Sequence, residues 1–192
     1  MEPSTQALLA DAFQRSEEKL KLGLQVAGFA IVEVDYLTGN FSFSKEAAAL
    51  YGLGDEALIV SLDDLGLVAA LEWQTRAWEH ETNITFELVL PVEDIAVHPE
   101  RSTAIFRVFQ ESLTNIARHA EATQVDVTLE ADGGHLLLTI HDNGQGIDPE
   151  VLRPGKSLGL LGMRERIREV SGELDIVGGP GAGTTVIRVP LE

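Results

Sequence analysis

The chain has 192 residues, 44% of them hydrophobic, enough apolar surface to bury a core in one large or two small domains. Fourteen Lys and Arg against 31 Asp and Glu give a formal net charge of −17, which argues against general nucleic-acid binding, because displacing counterions from phosphates needs a basic surface. The absence of cysteine excludes disulfides and thiolate metal sites, and the five histidines show no ligand spacing. No apolar run approaches the roughly 18 residues of a membrane span, and MEPSTQALLADAF lacks the pattern of a signal peptide, so the expectation is a cytoplasmic protein with no membrane segment.

In chain order, residues 5–27 read as a helix, with Leu9, Phe13, Leu20, Leu24 and Ala27 at three- and four-residue steps; such a stripe suits a short two-stranded coiled coil or a helix lying on a domain. FAIVEVDY then alternates as a strand, Thr38-Gly39-Asn40 supplies a turn, FSFS begins a second strand and KEAAALYGL reads as a short helix. This stretch resembles the opening of a PAS sensor domain, and the resemblance stops near Leu58. A fragment of that size cannot bury both faces of its hairpin by itself.

From Ser61 the pattern changes. SLDDLGLVAALEWQTRAWEHE reads as one helix, with Leu65, Val68, Leu71 or Glu72, Thr75 and Trp78 on one face. ITFELVL alternates as a strand, and Pro99 opens a long helix to about Ala120, sitting where its missing N–H costs nothing. TQVDVTLEA and HLLLTIHD form a hairpin through Asp132-Gly133-Gly134; a helix Leu158–Ser171 ends at Gly172; ELDIVG and TTVIRVPL close the chain around Gly-Pro-Gly-Ala-Gly. The order predicts an α/β (α+β) two-layer sandwich, with helices covering one face of a mixed sheet. The expected divisions are 1–27 (helix), 28–60 (PAS-like segment) and 61–192 (sandwich domain).

Four separated stretches of this last part carry candidate chemistry. On the long helix, Glu111, Asn115 and His119 recur every four residues and so stack on one face, opposite Phe106, Phe109, Leu113, Ile116 and Ala117; Asn115 offers a hard oxygen of the kind Mg²⁺ accepts. At the end of an apolar strand, His141-Asp142-Asn143-Gly144-Gln145-Gly146-Ile147 combines a carboxylate able to accept from the exocyclic amine of adenine with glycines that let backbone approach a ligand. Ser157-Leu158-Gly159-Leu160-Leu161-Gly162-Met163-Arg164 leads into a helix whose first amides face an anion, with Lys156 and Arg164 near the phosphate path and Asp148 to Ser157 as a short lid. Finally, Gly179-Pro-Gly-Ala-Gly-Thr184-Thr185-Val186 enters the last strand, where glycines again permit close backbone approach and a Thr hydroxyl can reach a base through water. Each stretch alone also reads as ordinary helix surface, loop, cap or hairpin turn.

Together, in order and spacing, they resemble the N, G1, G2 and G3 boxes of the GHKL ATPase superfamily, and LDDLGL, QESLTNIARHA, DNGQG and GLLGMRERI are similar to segments of sensor histidine kinases of the NarL/DesK type. The resemblance covers about Leu62 to Leu191. It implies a Bergerat-type fold, ATP and Mg²⁺ as cofactors, Asn115 as the metal ligand, Glu111 as the carboxylate beside the γ-phosphate and Asp142 as the adenine reader. Arg118 or His119 would touch phosphate. Gly144, Gly146, Ile147 and Lys156 would follow the nucleotide, as would Gly159, Leu160, Gly162, Met163 and Thr184.

The implied activity is that of a two-component kinase, transferring the ATP γ-phosphoryl group to a histidine and thence serving a response regulator. The PAS-like segment runs almost directly into Ser61, leaving no room for the helical hairpin that bears the acceptor histidine. His80, His98, His119, His135 and His141 each sit in an unsuitable context, so the expected transfer is in trans to a separate phosphoacceptor domain. A homodimer through residues 5–27 is the remaining partner expectation. The alternatives are an anti-sigma-factor-type serine kinase and a non-catalytic ATP-sensing interaction module.

Overall fold

The computed structural model describes residues 32–34, 40–50, 56, 58–92, 95–148, 150–153, 156–179 and 182–191. The helix expected over 5–27, and any dimer through it, lie outside the described residues. The chain divides into two units, Met1–Ser61 and Leu62–Glu192.

In the first unit, strands β1 (Val32–Val34), β2 (Phe41–Phe43) and β3 (Leu58–Val60) form an antiparallel sheet in that order, with helix α1 (Lys45–Leu50) after β2. Phe41 and Phe43 are buried and stack at a centroid distance of 6.4 Å, and Ala47 and Ala48 of α1 are buried with them. The Oγ of Ser44 accepts from Ala47 N at 3.3 Å and so caps α1. The expected hairpin is present. The third strand was not legible, because Leu-Ile-Val is too short to display a period.

The second unit runs α2 (Leu62–Leu65), α3 (Leu67–Glu81), β4 (Thr85–Val89) and α4 (Pro99–Asn115), the last continuing into a π turn over Ile116–Ala120. Then come β5 (Gln124–Asp132), β6 (His135–Asp142), α5 (Leu158–Glu169), β7 (Glu173–Gly179) and β8 (Ala182–Pro190). The five strands lie in the order β4-β5-β6-β8-β7; β4 runs parallel to β5 and the other pairs are antiparallel.

The single helix expected from Ser61 to Glu81 is broken at Gly66, which has φ +83° and ψ 151°. Leu62 and Leu67 are five residues apart and would face different sides of a straight helix; the break allows both to be buried. Behind it the covered stripe is Leu67, Ala70, Leu71, Gln74 and Thr75, rather than the one running through Leu65 and Val68. The buried Gln74 accepts from Gln110 Nε2 at 3.0 Å, which joins α3 to α4.

The sheet buries one face. Val125, Val127 and Leu129 of β5, Leu136, Leu138 and Ile140 of β6, and Ile187 and Val189 of β8 alternate with partly exposed residues, as a sheet covered on one side requires. Phe106, Phe109 and Leu113 of α4, with Met163 and Ile167 of α5, complete the core. The two-layer arrangement is the one expected. Among the described residues, no helix is long and apolar enough to cross a membrane.

Candidate functional site

Alternation along β6 places Asp142 on the same face as Ile140 and Leu138, so the last inward position of an apolar strand holds a carboxylate. Asp142 is 7% exposed. Its Oδ1 accepts from Gly144 N at 3.0 Å. In register across β8 stands Gly183, and a Cβ there would lie 2.4 Å from Asp142 Oδ2. Only glycine leaves the carboxylate its place. Among the described residues no hydrogen bond is made to Oδ2, and no buried side-chain nitrogen or oxygen lacks a partner; Oδ2 therefore opens into the adjoining cavity.

The backbone after Asp142 is pinned on both sides. Asn143 Oδ1 accepts from Thr123 N and Gln124 N at 2.9 and 3.0 Å, while its Nδ2 donates to Thr123 Oγ1 at 3.0 Å, tying the loop to the start of β5. Gln145 N donates to Ala120 O and Gln145 Nε2 to His119 O, both at 2.7 Å, tying it to the π turn. Gly144 passes so close to that turn that a Cβ would stand 2.3 Å from Ala120 O. Gly146 has φ +82°, a conformation suited to glycine. The wider π turn thus meets the Asp142 loop directly, a local irregularity of a type that recurs at functional sites.

Between α4, α5 and the ends of β6, β7 and β8 lies a cavity of about 840 Å³. Of the residues singled out in the sequence, Asn115, His119, Asp142, Gly146, Ile147, Leu160 and Met163 line it. Glu111 lies one helical turn before Asn115 and abuts the first turn of α5, where a Cβ on Gly159 would be 2.9 Å from Glu111 Oε1. Gly144 shapes the loop from behind. Arg118 and Lys156 are exposed and outside the lining, and Gly162 has open space around it. Thr184 pairs with His141 and Val177 along the strands; its neighbour Thr185, in register with Ile140 and Ile176, lines the cavity.

Ser157 caps α5, accepting from Leu160 N at 3.3 Å, and also lines the cavity. Towards the mouth, Asp148 Oδ1 accepts from Glu150 N at 2.9 Å, Arg153 pairs with Glu150 at 2.8 Å and Arg164 Nη1 reaches Leu152 O at 3.4 Å. Asn115 donates from Nδ2 to Met163 Sδ at 3.9 Å. Sequence reasoning missed Ile176, Ser112 and the clamps of Asn143 and Gln145, and it quoted Gly183, Thr185 and Ile116 within its stretches without assigning them to the site. Thr185 and Gly183 were within reach: continuing the two-residue alternation from Ile187 puts both on the covered face.

Comparison with known proteins gives the following. Residues 100–192 match the family described as histidine kinase-, DNA gyrase B-, and HSP90-like ATPase. A signal transduction histidine-protein kinase/phosphatase DegS of Bacillus subtilis (strain 168) is 35% identical over 138 residues, covering 69% of this chain and 36% of that protein. The DegS of Brevibacillus brevis is 38% identical over 130 residues, 67% of this chain and 33% of that protein. The chain therefore spans about a third of the length of these curated relatives. Among solved structures, the histidine kinase domain of the blue-light activated histidine kinase from Erythrobacter litoralis EL346 superposes with a TM-score of 0.59 at 25% identity, covering 67% of this chain and 62% of that one.

Proposed function

We propose that this chain, whose residues 100–192 belong to the histidine kinase-, DNA gyrase B-, and HSP90-like ATPase family, binds Mg-ATP in the cavity between α4, α5 and the sheet and transfers its γ-phosphoryl group to a histidine of a separate acceptor domain. The observation that carries the reading is Asp142. A carboxylate on the covered face whose free oxygen opens into an apolar-floored cavity presents an acceptor there, and the exocyclic amine of adenine is a matching donor. Ile116, Met163, Ile176 and Thr185 line the same cavity, so a flat base would lie against apolar side chains with a hydroxyl beside them.

From this end the nucleotide would run towards Asn115, His119 and the first turn of α5. The first amides of α5 after Ser157 supply positive dipole to a polyphosphate. Asn115 provides a neutral hard oxygen to Mg²⁺. Mg²⁺ keeps waters and phosphate oxygens as most of its ligands and needs few from the protein. Held there with Asn115 as its protein ligand, the ion would supply charge neutralisation to the phosphates. Glu111, beside the α5 terminus, would face the acceptor histidine, accepting its ring N–H while the other nitrogen attacks phosphorus. The remaining work is positioning, since phosphoryl transfer asks little covalent chemistry of the protein.

The acceptor domain and a response regulator downstream are part of the proposal, as are residues 61–192 acting as one catalytic domain and a cytoplasmic setting. The test is incubation with Mg-ATP and a histidine-bearing acceptor domain of a NarL-type kinase. Phosphate should appear on the acceptor, be lost in acid and survive base. Acid-stable label on the acceptor would instead indicate a hydroxyl-directed kinase.

A further inference from the structure

We infer that Met163 is a positioning residue for the metal: its thioether fixes which end of the Asn115 carboxamide faces the nucleotide. The inference rests on Asn115 being the Mg²⁺ ligand. An asparagine side chain has two nearly isosteric ends, one that donates and one that accepts, and only the oxygen end can bind a cation. At the end of α4, where the helix widens into the π turn, nothing in the backbone selects between them.

The selection comes from across the cavity. Asn115 Nδ2 donates to Met163 Sδ at 3.9 Å. A thioether has lone pairs and no hydrogen to give, so it can meet only the NH₂ end. Met163 is 1% exposed and sits in the first turns of α5 among core side chains, so its sulfur cannot swing away without repacking. The amide oxygen is then left over. Among the described residues no hydrogen bond is made to Asn115 Oδ1, and no buried side-chain oxygen lacks a partner, which opens Oδ1 to the cavity.

Sulfur also suits the task by being a weak acceptor. A carboxylate in the same place would hold the NH₂ end more strongly but would add a charge competing for the ion, and a hydroxyl could donate to Oδ1 and reverse the amide. Methionine biases the carboxamide without either cost. The same contact joins α4 to α5, so Asn115 is correctly presented only when the helix that begins beside the phosphates is packed in place.

The experiment measures ATP affinity by calorimetry, in Mg²⁺ and in EDTA, for the parent, Asn115→Ala and Met163→Leu. Leucine conserves volume at a buried site and removes only the acceptor. Met163→Leu is expected to lower the Mg²⁺-dependent gain in affinity by about threefold to tenfold; any loss of apolar contact with the base weakens binding in Mg²⁺ and in EDTA alike and leaves that gain unchanged. Asn115→Ala is expected to abolish the gain. If Met163→Leu keeps the parental gain while Asn115→Ala loses it, or if it weakens binding equally with and without Mg²⁺, the positioning role is wrong and the metal assignment stands. If Asn115→Ala keeps the gain, the metal assignment falls and the inference with it.

Discussion

The floor of the cavity and its rim are built by different means. At the floor, Asp142 is placed by strand register between Val125 and Gly183, and the loop after it is held by Asn143 on one side and Gln145 on the other. At the rim, the described residues of 148–157 are joined mainly by contacts near in sequence, an Asp148 side chain to Glu150 N and an Arg153–Glu150 ion pair whose side chains are 67% and 58% exposed, with Arg164 Nη1 to Leu152 O at 3.4 Å as a longer-range bond. Long-range register gives the floor one arrangement. The exposed ion pair of the rim contributes little by itself.

The contrast can be broken first at Gly144. A Cβ there would meet the carbonyl of Ala120 at 2.3 Å, an atom of the backbone that cannot rotate away. Gly144→Ala should cost about 1–3 kcal/mol in thermal or denaturant unfolding and about tenfold or more in ATP affinity. Gly172→Ala is the comparison, because its Cβ would strike Val189 Cγ1 at 2.6 Å and Arg188 O at 2.8 Å in the core, away from the cavity. It should lower stability while leaving the affinity of the folded protein unchanged. Equal effects of the two on affinity would mean that the floor has no special geometry.

A smaller effect is expected at Asn143. Replacement by alanine removes three hydrogen bonds between the loop and the start of β5, but Thr123 and Asn143 are exposed and water can take their place. Unfolding should become easier by about 1 kcal/mol, with a severalfold loss of ATP affinity as Gly144 is freed. Last is the rim. Arg153→Ala should change unfolding free energy by less than about 0.5 kcal/mol, as exposed ion pairs do. A loss of several kcal/mol there would show the rim to be as rigidly built as the floor.

What the sequence revealed follows the same division. The sheet, the long helix behind Pro99 and the position of Asp142 at the end of an apolar strand were legible because apolar periodicity over seven or more residues leaves few alternatives. Gly66 was read as helix interior, since a lone glycine in an amphipathic pattern carries no sign of its φ. The π turn was hidden too: it adds no residue type that a regular helix would refuse. Thr184 was assigned by the resemblance of its motif, whereas alternation from Ile187 puts Thr185 on the covered face. Neither the Asn143 clamp nor the Met163 contact has a local signature. Each joins residues 20 and 48 positions apart, and only the fold brings them together.

The central claim, that Asp142 reads adenine, is tested most directly by titrating the parent and Asp142→Asn with ATP and with GTP. Guanine presents a carbonyl oxygen where adenine presents its amine, so the carboxylate should favour ATP by about a hundredfold. Asp142→Asn should lose most of that preference, chiefly through weaker ATP binding. Equal affinity of the parent for ATP and GTP, or undiminished ATP binding by Asp142→Asn, would contradict the account.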